Sequence, residues 1–265
     1  RRHWHNPLRS AVHDRRPRAE NLRVGSPRYS VRHAPSCYIP SMVRASETML
    51  VEGPAGSVET LVDQPEILHG LALVAHPHPL FGGTNSNKVV YTLAHCLRDL
   101  GYLALRPNFR GVGKSAGSHD HGAGETEDLL AVLDHARGRW DVGQALPVLL
   151  AGYSFGAFVQ TRVAKRLAEG GRPAEQVILV AMAAGQVEGN RSYQPEPVPR
   201  GSLLIHGGRD TTVPLANILA YAEPLDLPVT VIPGTDHFFH GRLHILRELI
   251  ERDWRSRARP SVLQE

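Results

Sequence analysis

From residue 49 onward, six short apolar runs alternate with stretches of helical periodicity. No other feature of the chain limits its fold so tightly. The runs are "LALVA" (71–75), "YLALRPN" (102–108), "PVLLA" (147–151), "QVILVA" (176–181), "SLLIH" (202–206) and "VTVIP" (229–233). Several are apolar without alternation, as strands buried on both faces are. Between them lie helical patterns. In residues 88–99, Val89, Val90, Leu93, Cys96 and Leu97 fall on one helical face, and Gly101 stops the pattern. Further helices are expected from Glu125 to Arg137, from Phe155 to Leu167, near 214–223 and from about 242 to 254. Ahead of the series, "MLVEGPAGSVETLVDQ" reads as a hairpin around Gly53-Pro54-Ala55-Gly56. Strands alternating with helices through short connections imply an α/β fold, with a mostly parallel sheet covered by helices on both faces. Residues 49–265 are expected to form one domain, long enough for a sizeable core.

Residues 1–48 differ. They hold ten of the chain's 30 Lys and Arg but three of its 26 acids, together with Pro7, Pro17, Pro27, Pro35 and Pro40. Such a segment buries too little apolar surface to offset its ordering entropy, so it is expected to be a disordered leader. Met42 and Met49 would offer starts just ahead of ordered sequence. A nucleic-acid-binding arm is the lesser reading of the same arginines. No apolar run approaches the roughly 18 residues that span a bilayer, and no apolar segment follows the arginines as in a secretory signal. The two cysteines, Cys37 and Cys96, write no disulfide framework. The expectation is a cytoplasmic monomer or homodimer that binds neither membrane nor nucleic acid.

Within the α/β frame, "AGYSFGA" (151–157) gains meaning. Ser154 lies between Gly152 and Gly156, at the C-terminal end of a strand and on the turn into a helix. That context makes a nucleophile elbow of an otherwise common pattern. A serine hydroxyl needs a base, and the base needs an orienting group. Functional groups of an open α/β sheet gather beyond the carboxyl ends of its strands. The loops after "SLLIH" and "VTVIP" carry Asp210, in "GGRDTTVP", and His237, in "GTDHFFHG". The order Ser, Asp, His is the one expected of an elbow serine. Asp236 is a rival acid and His240 a rival base. One oxyanion donor should be the backbone N–H of Phe155. The other should come from "HPHPLFGG" (76–83), where Pro77 and Pro79 have no N–H and His78 and Leu80 do.

Five segments in order resemble the α/β-hydrolase superfamily, and more closely its small cap-less serine hydrolases. They are "HPHPLFGGTNSNKVV" (76–90), "RPNFRGVGKSAGSHDHGAGETED" (106–128), "AGYSFGA", "HGGRDTTVP" (206–214) and "GTDHFFHGRL" (234–243). The resemblance implies an α/β-hydrolase fold without a large cap, with Ser154 as nucleophile, Asp210 as acid and His237 as base. By analogy with the superfamily's loops it ranks His78 ahead of Leu80 as oxyanion donor. The implied activity is hydrolysis of short-chain carboxylic esters, with small-molecule esters as partners and no cofactor. Thioesterase or small serine peptidase activity is the alternative, and a scaffold without turnover is the reading from another class. Phe81, Tyr153, Phe155 and the segment 184–199 are expected to bound the acyl group.

Two other patterns carry less. His76 and His78 lack a third ligand nearby, which is weak for zinc, and no metal is expected. "RGVGKSAG" (110–117) fails as a phosphate loop, because Asn108 stands where the pattern needs its first glycine. Asn108, Arg110 and Asp128 are expected to tie that loop beneath the site. Gly82, Gly83, Asn85 and Asn87 read as a tight turn and a helix N-cap.

Overall fold

The computed structural model describes residues 45–141 and 145–257. An eight-stranded sheet runs through the domain in the order β1-β2-β4-β3-β5-β6-β9-β10. Strands β1 (Glu47–Gly53) and β2 (Gly56–Asp63) form the antiparallel hairpin read from the Gly-Pro-Ala-Gly signal, and β2 pairs antiparallel with β4 (Tyr102–Pro107). The rest is parallel: β3 (Gly70–Ala75) between β4 and β5 (Val148–Tyr153), then β6 (Gln176–Val180), β9 (Leu203–Gly207) and β10 (Val229–Ile232).

Period-two side-chain alternation divides the sheet between two cores. Leu71, Leu73, Leu103, Leu105 and Leu150 face one core, shared with α2 (Ala123–Trp140), α3 (Phe155–Glu169) and α4 (Leu215–Ala222). Ala72, Val74, Ala104 and Ala151 face the other, shared with α1 (Lys88–Asp99) and α5 (Leu243–Arg257). The sheet is thus covered on both faces, the expected α/β architecture. The buried Cys96 thiol is pushed up to about 12 by desolvation, which suits a core residue. No helix among the described residues is long and apolar enough to cross a membrane.

Three boundaries differ from the expectation. Strand β1 begins at Glu47, ahead of residue 49, because Ser46 is tied into a buried cluster. Its hydroxyl donates to Asp63 and accepts from Arg106 Nη2 (2.9 Å), and Arg106 in turn grips Asp63 with Nε and Nη2 (2.7 and 3.0 Å). Residues 1–44 of the expected leader lie outside the described residues. Helix α2 begins at Ala123 because Glu125 reaches back to cap two backbone N–H groups, those of Asp120 and Gly122 (2.8 Å each).

The third difference lies between β6 and β9, where no cap and no strand are expected from the sequence. The segment carries an antiparallel hairpin, β7 (Gly185–Val187) with β8 (Arg191–Tyr193). Its loop uses Gly189 and Asn190 at φ 77° and 57°, residue types that accept the left-handed region.

Candidate active site

Strand β5 delivers Ser154 to a turn that only unusual backbone geometry can make. Ser154 sits at φ 56°, ψ −118°, a strained conformation for a residue with a side chain. Three backbone hydrogen bonds hold it there. Its N–H donates to Val180 O (2.9 Å), and its carbonyl accepts from Phe158 N–H (3.2 Å) and Ala183 N–H (3.1 Å). The flanking glycines are sterically required. A Cβ on Gly152 would lie 2.6 Å from Ala157 backbone atoms, and one on Gly156 2.4 Å from the carbonyl oxygens of Ala75 and His76.

The loops after β9 and β10 meet beside this turn, where Arg209 N–H donates to Thr235 O (2.8 Å). They bring His237 to Asp210 and to Ser154 across 27 and 83 residues of sequence. His237 Nδ1 lies 2.7 Å from Asp210 Oδ2, and His237 Nε2 lies 3.0 Å from Ser154 Oγ. Asp210 spends its other oxygen on Val213 N–H (2.8 Å), at the entrance to α4. All three residues are buried. The carboxylate accepts only, so the Nδ1 proton belongs to its side of the ring. The Nε2 lone pair is then left for the serine hydroxyl. An imidazole held in this tautomer can withdraw the serine proton, and the adjacent carboxylate stabilises the cation that forms.

Tyr153 supports the histidine. It lies in the floor of the cleft, 1% exposed, and its hydroxyl donates to His237 O (3.0 Å). Burial pushes this phenol upward from its ordinary value, with the charges of Asp210 and Asp236 adding. It thus holds the His237 loop while lining the cleft. Phe155, expected to limit the acyl group, turns its ring into the core instead, 1% exposed and edge-on to Phe109. Phe81 does border the cleft and is largely exposed. The rival pair, Asp236 and His240, engages itself at the surface (2.6 Å) and takes no part in the cluster.

Both backbone donors expected around the serine can be placed. Phe155 N–H opens α3, where the first N–H groups have no acceptor within the helix. His78 caps a short 3-10 turn over Pro79–Phe81. Its carbonyl accepts from Phe81 and Gly83 N–H, and its Nδ1 accepts from Leu80 N–H (3.3 Å). The Leu80 amide is thus engaged, and its side chain is largely exposed, while the His78 N–H enters none of these turn bonds.

His76 is no ligand. Its Nδ1 is 2.7 Å from Pro77 O and its Nε2 accepts from Phe109 N–H (2.8 Å), which stitches the loops after β3 and β4 together. Complete burial pulls its pKa down to about 3. No group of three or more potential ligands occurs among the described residues. The loop after β4 is tied down as expected. Arg110 holds Asp128 through Nε and Nη2 (2.8 and 2.9 Å), and Asn108 accepts from Asn85 N–H and donates to Glu59 (2.8 Å each). Asn87 accepts from Val89 N–H (2.9 Å) as N-cap of α1. A cleft of about 380 Å³ opens over Ser154, lined by His78, Phe81, Tyr153, His237 and Phe238 among others.

No family model matches the chain. Among the known proteins similar to it are the following three. An alpha-beta serine hydrolase homologue from Coxiella burnetii is 40% identical, with a TM-score of 0.68, over 80% of this chain and 99% of that one. XC6422 from Xanthomonas campestris, a serine hydrolase without a lid, is 36% identical, with a TM-score of 0.69, over 81% and 97% of the two chains. RP471 of Rickettsia prowazekii (strain Madrid E) is 32% identical over 195 residues, 71% of this chain and 79% of that protein. With this geometry and these identities over most of its length, the chain belongs to the α/β serine hydrolase family.

Proposed function

We propose that the protein hydrolyses short-chain carboxylic esters through an acyl-enzyme on Ser154. The observation that carries this reading is the hydrogen-bond chain Asp210–His237–Ser154 at the base of an open cleft. In the proposed cycle His237 Nε2 takes the Ser154 proton as Oγ attacks the ester carbonyl. The tetrahedral oxyanion is met by the N–H groups of Phe155 and His78, each donor of this kind being worth about 100- to 1000-fold in rate. His237 then gives its proton to the departing alcohol, and the C–O bond breaks. A water, deprotonated by the same imidazole, attacks the acyl carbon and releases the acid and free Ser154. Each step is carried by these side chains, with no cofactor required.

The short-chain preference follows from the segment between β6 and β9. It supplies a small hairpin rather than a helical lid, so no helix closes over a neutral acyl chain and one side of it stays open to water. Each buried methylene contributes about 0.8 kcal/mol, and that gain should stop after a few carbons. The test is fluorophosphonate labelling with peptide mapping, followed by kcat/KM on p-nitrophenyl esters of increasing length. Labelling at Ser154 with acetate and butyrate ahead of decanoate is expected, without interfacial activation. Labelling elsewhere, or an optimum at a long chain, overturns the reading. Thioester and peptide substrates in the same series test the alternatives.

A further inference from the structure

Beside the catalytic cleft lies a second, larger cavity of about 690 Å³. The two spaces share His78, Phe81, Gly189 and Arg191 as a common wall. The second cavity has an apolar body, made by the rings of Phe81, Phe158 and Tyr193, and cationic ends, Arg162 and Arg191. His119 and His121 also line it, and no carboxylate does.

The two arginines are unlike most others in the domain. Arg98, Arg106, Arg110 and Arg166 each hold a carboxylate. Among the described residues, neither Arg162 nor Arg191 lies within 4.0 Å of one. Arg191 lies over the Phe81 ring, 4.2 Å from its centroid, and donates to the carbonyl of Glu188 through Nε and Nη2 (3.1 and 2.9 Å). Arg162 lies over Phe158, 5.4 Å from the centroid, and its Nε is buried without a hydrogen-bond partner. Of the three acids of the adjoining groove, Glu127 and Glu196 are taken by Arg166 and Lys165, and Glu169 lies more than 4.0 Å from both Arg162 and Arg191.

An unpaired buried guanidinium nitrogen carries a desolvation cost. A guanidinium matches a carboxylate with two parallel N–H donors. His78 adds a neutral donor. Its Nδ1 accepts from Leu80, so Nε2 carries the proton, and burial first, then His119, Arg191 and His121, pull its pKa down to about 4.

We propose that this second cavity is an anion subsite, which receives a carboxylate at the far end of an ester whose carbonyl sits at Ser154. The favoured substrates are then monoesters bearing a free carboxylate several carbons from the scissile bond. The chain lies along Phe81, Phe158 and Tyr193, and the carboxylate meets Arg191 and Arg162. A neutral chain of the same length would leave both guanidiniums facing hydrocarbon. This rests on the esterase reading above and adds the substrate class to it.

The test compares kcat/KM for charged esters with their methyl-capped, neutral counterparts. One arm uses p-nitrophenyl hydrogen adipate, with the carboxylate on the acyl side. The other uses 6-acetoxyhexanoate, with the carboxylate on the alcohol side. A charged-to-neutral ratio of about tenfold or more in either arm is expected of the wild type, falling as salt rises from about 0.05 to 0.5 M. Arg191→Met and Arg162→Met should each lower that ratio, and the double variant should bring it near one. Arg200→Met, which removes a surface charge paired with Asp226, should leave the ratio unchanged. A wild-type ratio near one in both arms, or a ratio that survives the double variant, overturns the subsite. Turnover of p-nitrophenyl acetate and labelling of Ser154 report separately on the esterase reading. Should no ester be cleaved, calorimetric binding of adipate to Ser154→Ala still decides. Binding that Arg191→Met abolishes supports the subsite, and no binding refutes it.

Discussion

Two histidines of the loop after β10 each pair with an aspartate, and the two ring-to-carboxylate distances are nearly equal. His237 and Asp210 are 2.7 Å apart, and His240 and Asp236 are 2.6 Å apart. Their settings are opposite. The His237 and Asp210 side chains are 6% and 0% exposed, those of His240 and Asp236 77% and 45%. The buried pair continues to Ser154, whereas the exposed pair ends at the surface. In low dielectric a carboxylate fixes a ring and stabilises its cation strongly, while water screens the same contact outside. The His240 hydrogen bond holds the Asp236 carboxyl below its ordinary range, yet this describes a surface ion pair. Distance therefore does not distinguish the two pairs. Burial and a third partner do.

Mutating the members of each pair tests this contrast. Ser154→Ala and His237→Ala should each reduce kcat on p-nitrophenyl butyrate by about a millionfold with far-UV circular dichroism unchanged, because the three groups act as a unit. A variant retaining a tenth of the activity would place the nucleophile elsewhere. Asp210→Asn should cost about 10⁴-fold, since an amide favours the wrong tautomer of the ring. His240→Ala and Asp236→Asn should change kcat/KM by no more than about threefold. If Asp236→Asn were the crippling change and Asp210→Asn tolerated, the assignment of the two pairs would be reversed.

Buried histidines sharpen the same lesson through stability. The folded pKa of His76 is about 3 and that of His78 about 4, both depressed first by desolvation, against an ordinary value of 6.5. The unfolded chain therefore binds protons that the folded chain refuses. Their contribution is fully present above pH 6.5 and is lost as pH falls toward 4 and then 3. Urea unfolding should give a lower free energy at pH 5.5 than at pH 7.5, with the two rings contributing about equally because both folded values lie below that window. A pH-independent free energy over that range would mean that His76 is not sealed from water. The smallest effect is expected at the strand that opens the domain. Chains starting at 45 and at 49 should differ in melting temperature by a few degrees, because the second lacks Ser46 and the start of β1.

Much of this arrangement is legible without coordinates, for local reasons. Helix α1 runs from Lys88 to Asp99 as its periodicity requires, with Asn87 as cap and Gly101 as stop. The turn at Ser154 follows from glycines placed where a Cβ would strike neighbouring backbone. The chain order of Asp210 and His237 follows from each standing just beyond a strand. The hairpin between β6 and β9 left a fainter trace, Gly189-Asn190 between Val187 and Tyr193, which the neighbouring prolines obscured.

What the amino-acid sequence determines by itself is periodicity, turn chemistry and the short list of candidates: two acids, two histidines, two amides. Only the tertiary structure decides among them, because the deciding quantities are long-range. Whether Asp210 or Asp236 is buried depends on how the loops after β9 and β10 meet. Whether His78 or Leu80 has a free N–H depends on which way one imidazole turns. That Arg162 and Arg191 face one cavity without a carboxylate depends on packing α3 against the β7–β8 hairpin. Burial and the absence of a partner are properties of the surroundings of a side chain, and those surroundings come from parts of the chain that local spacing does not connect.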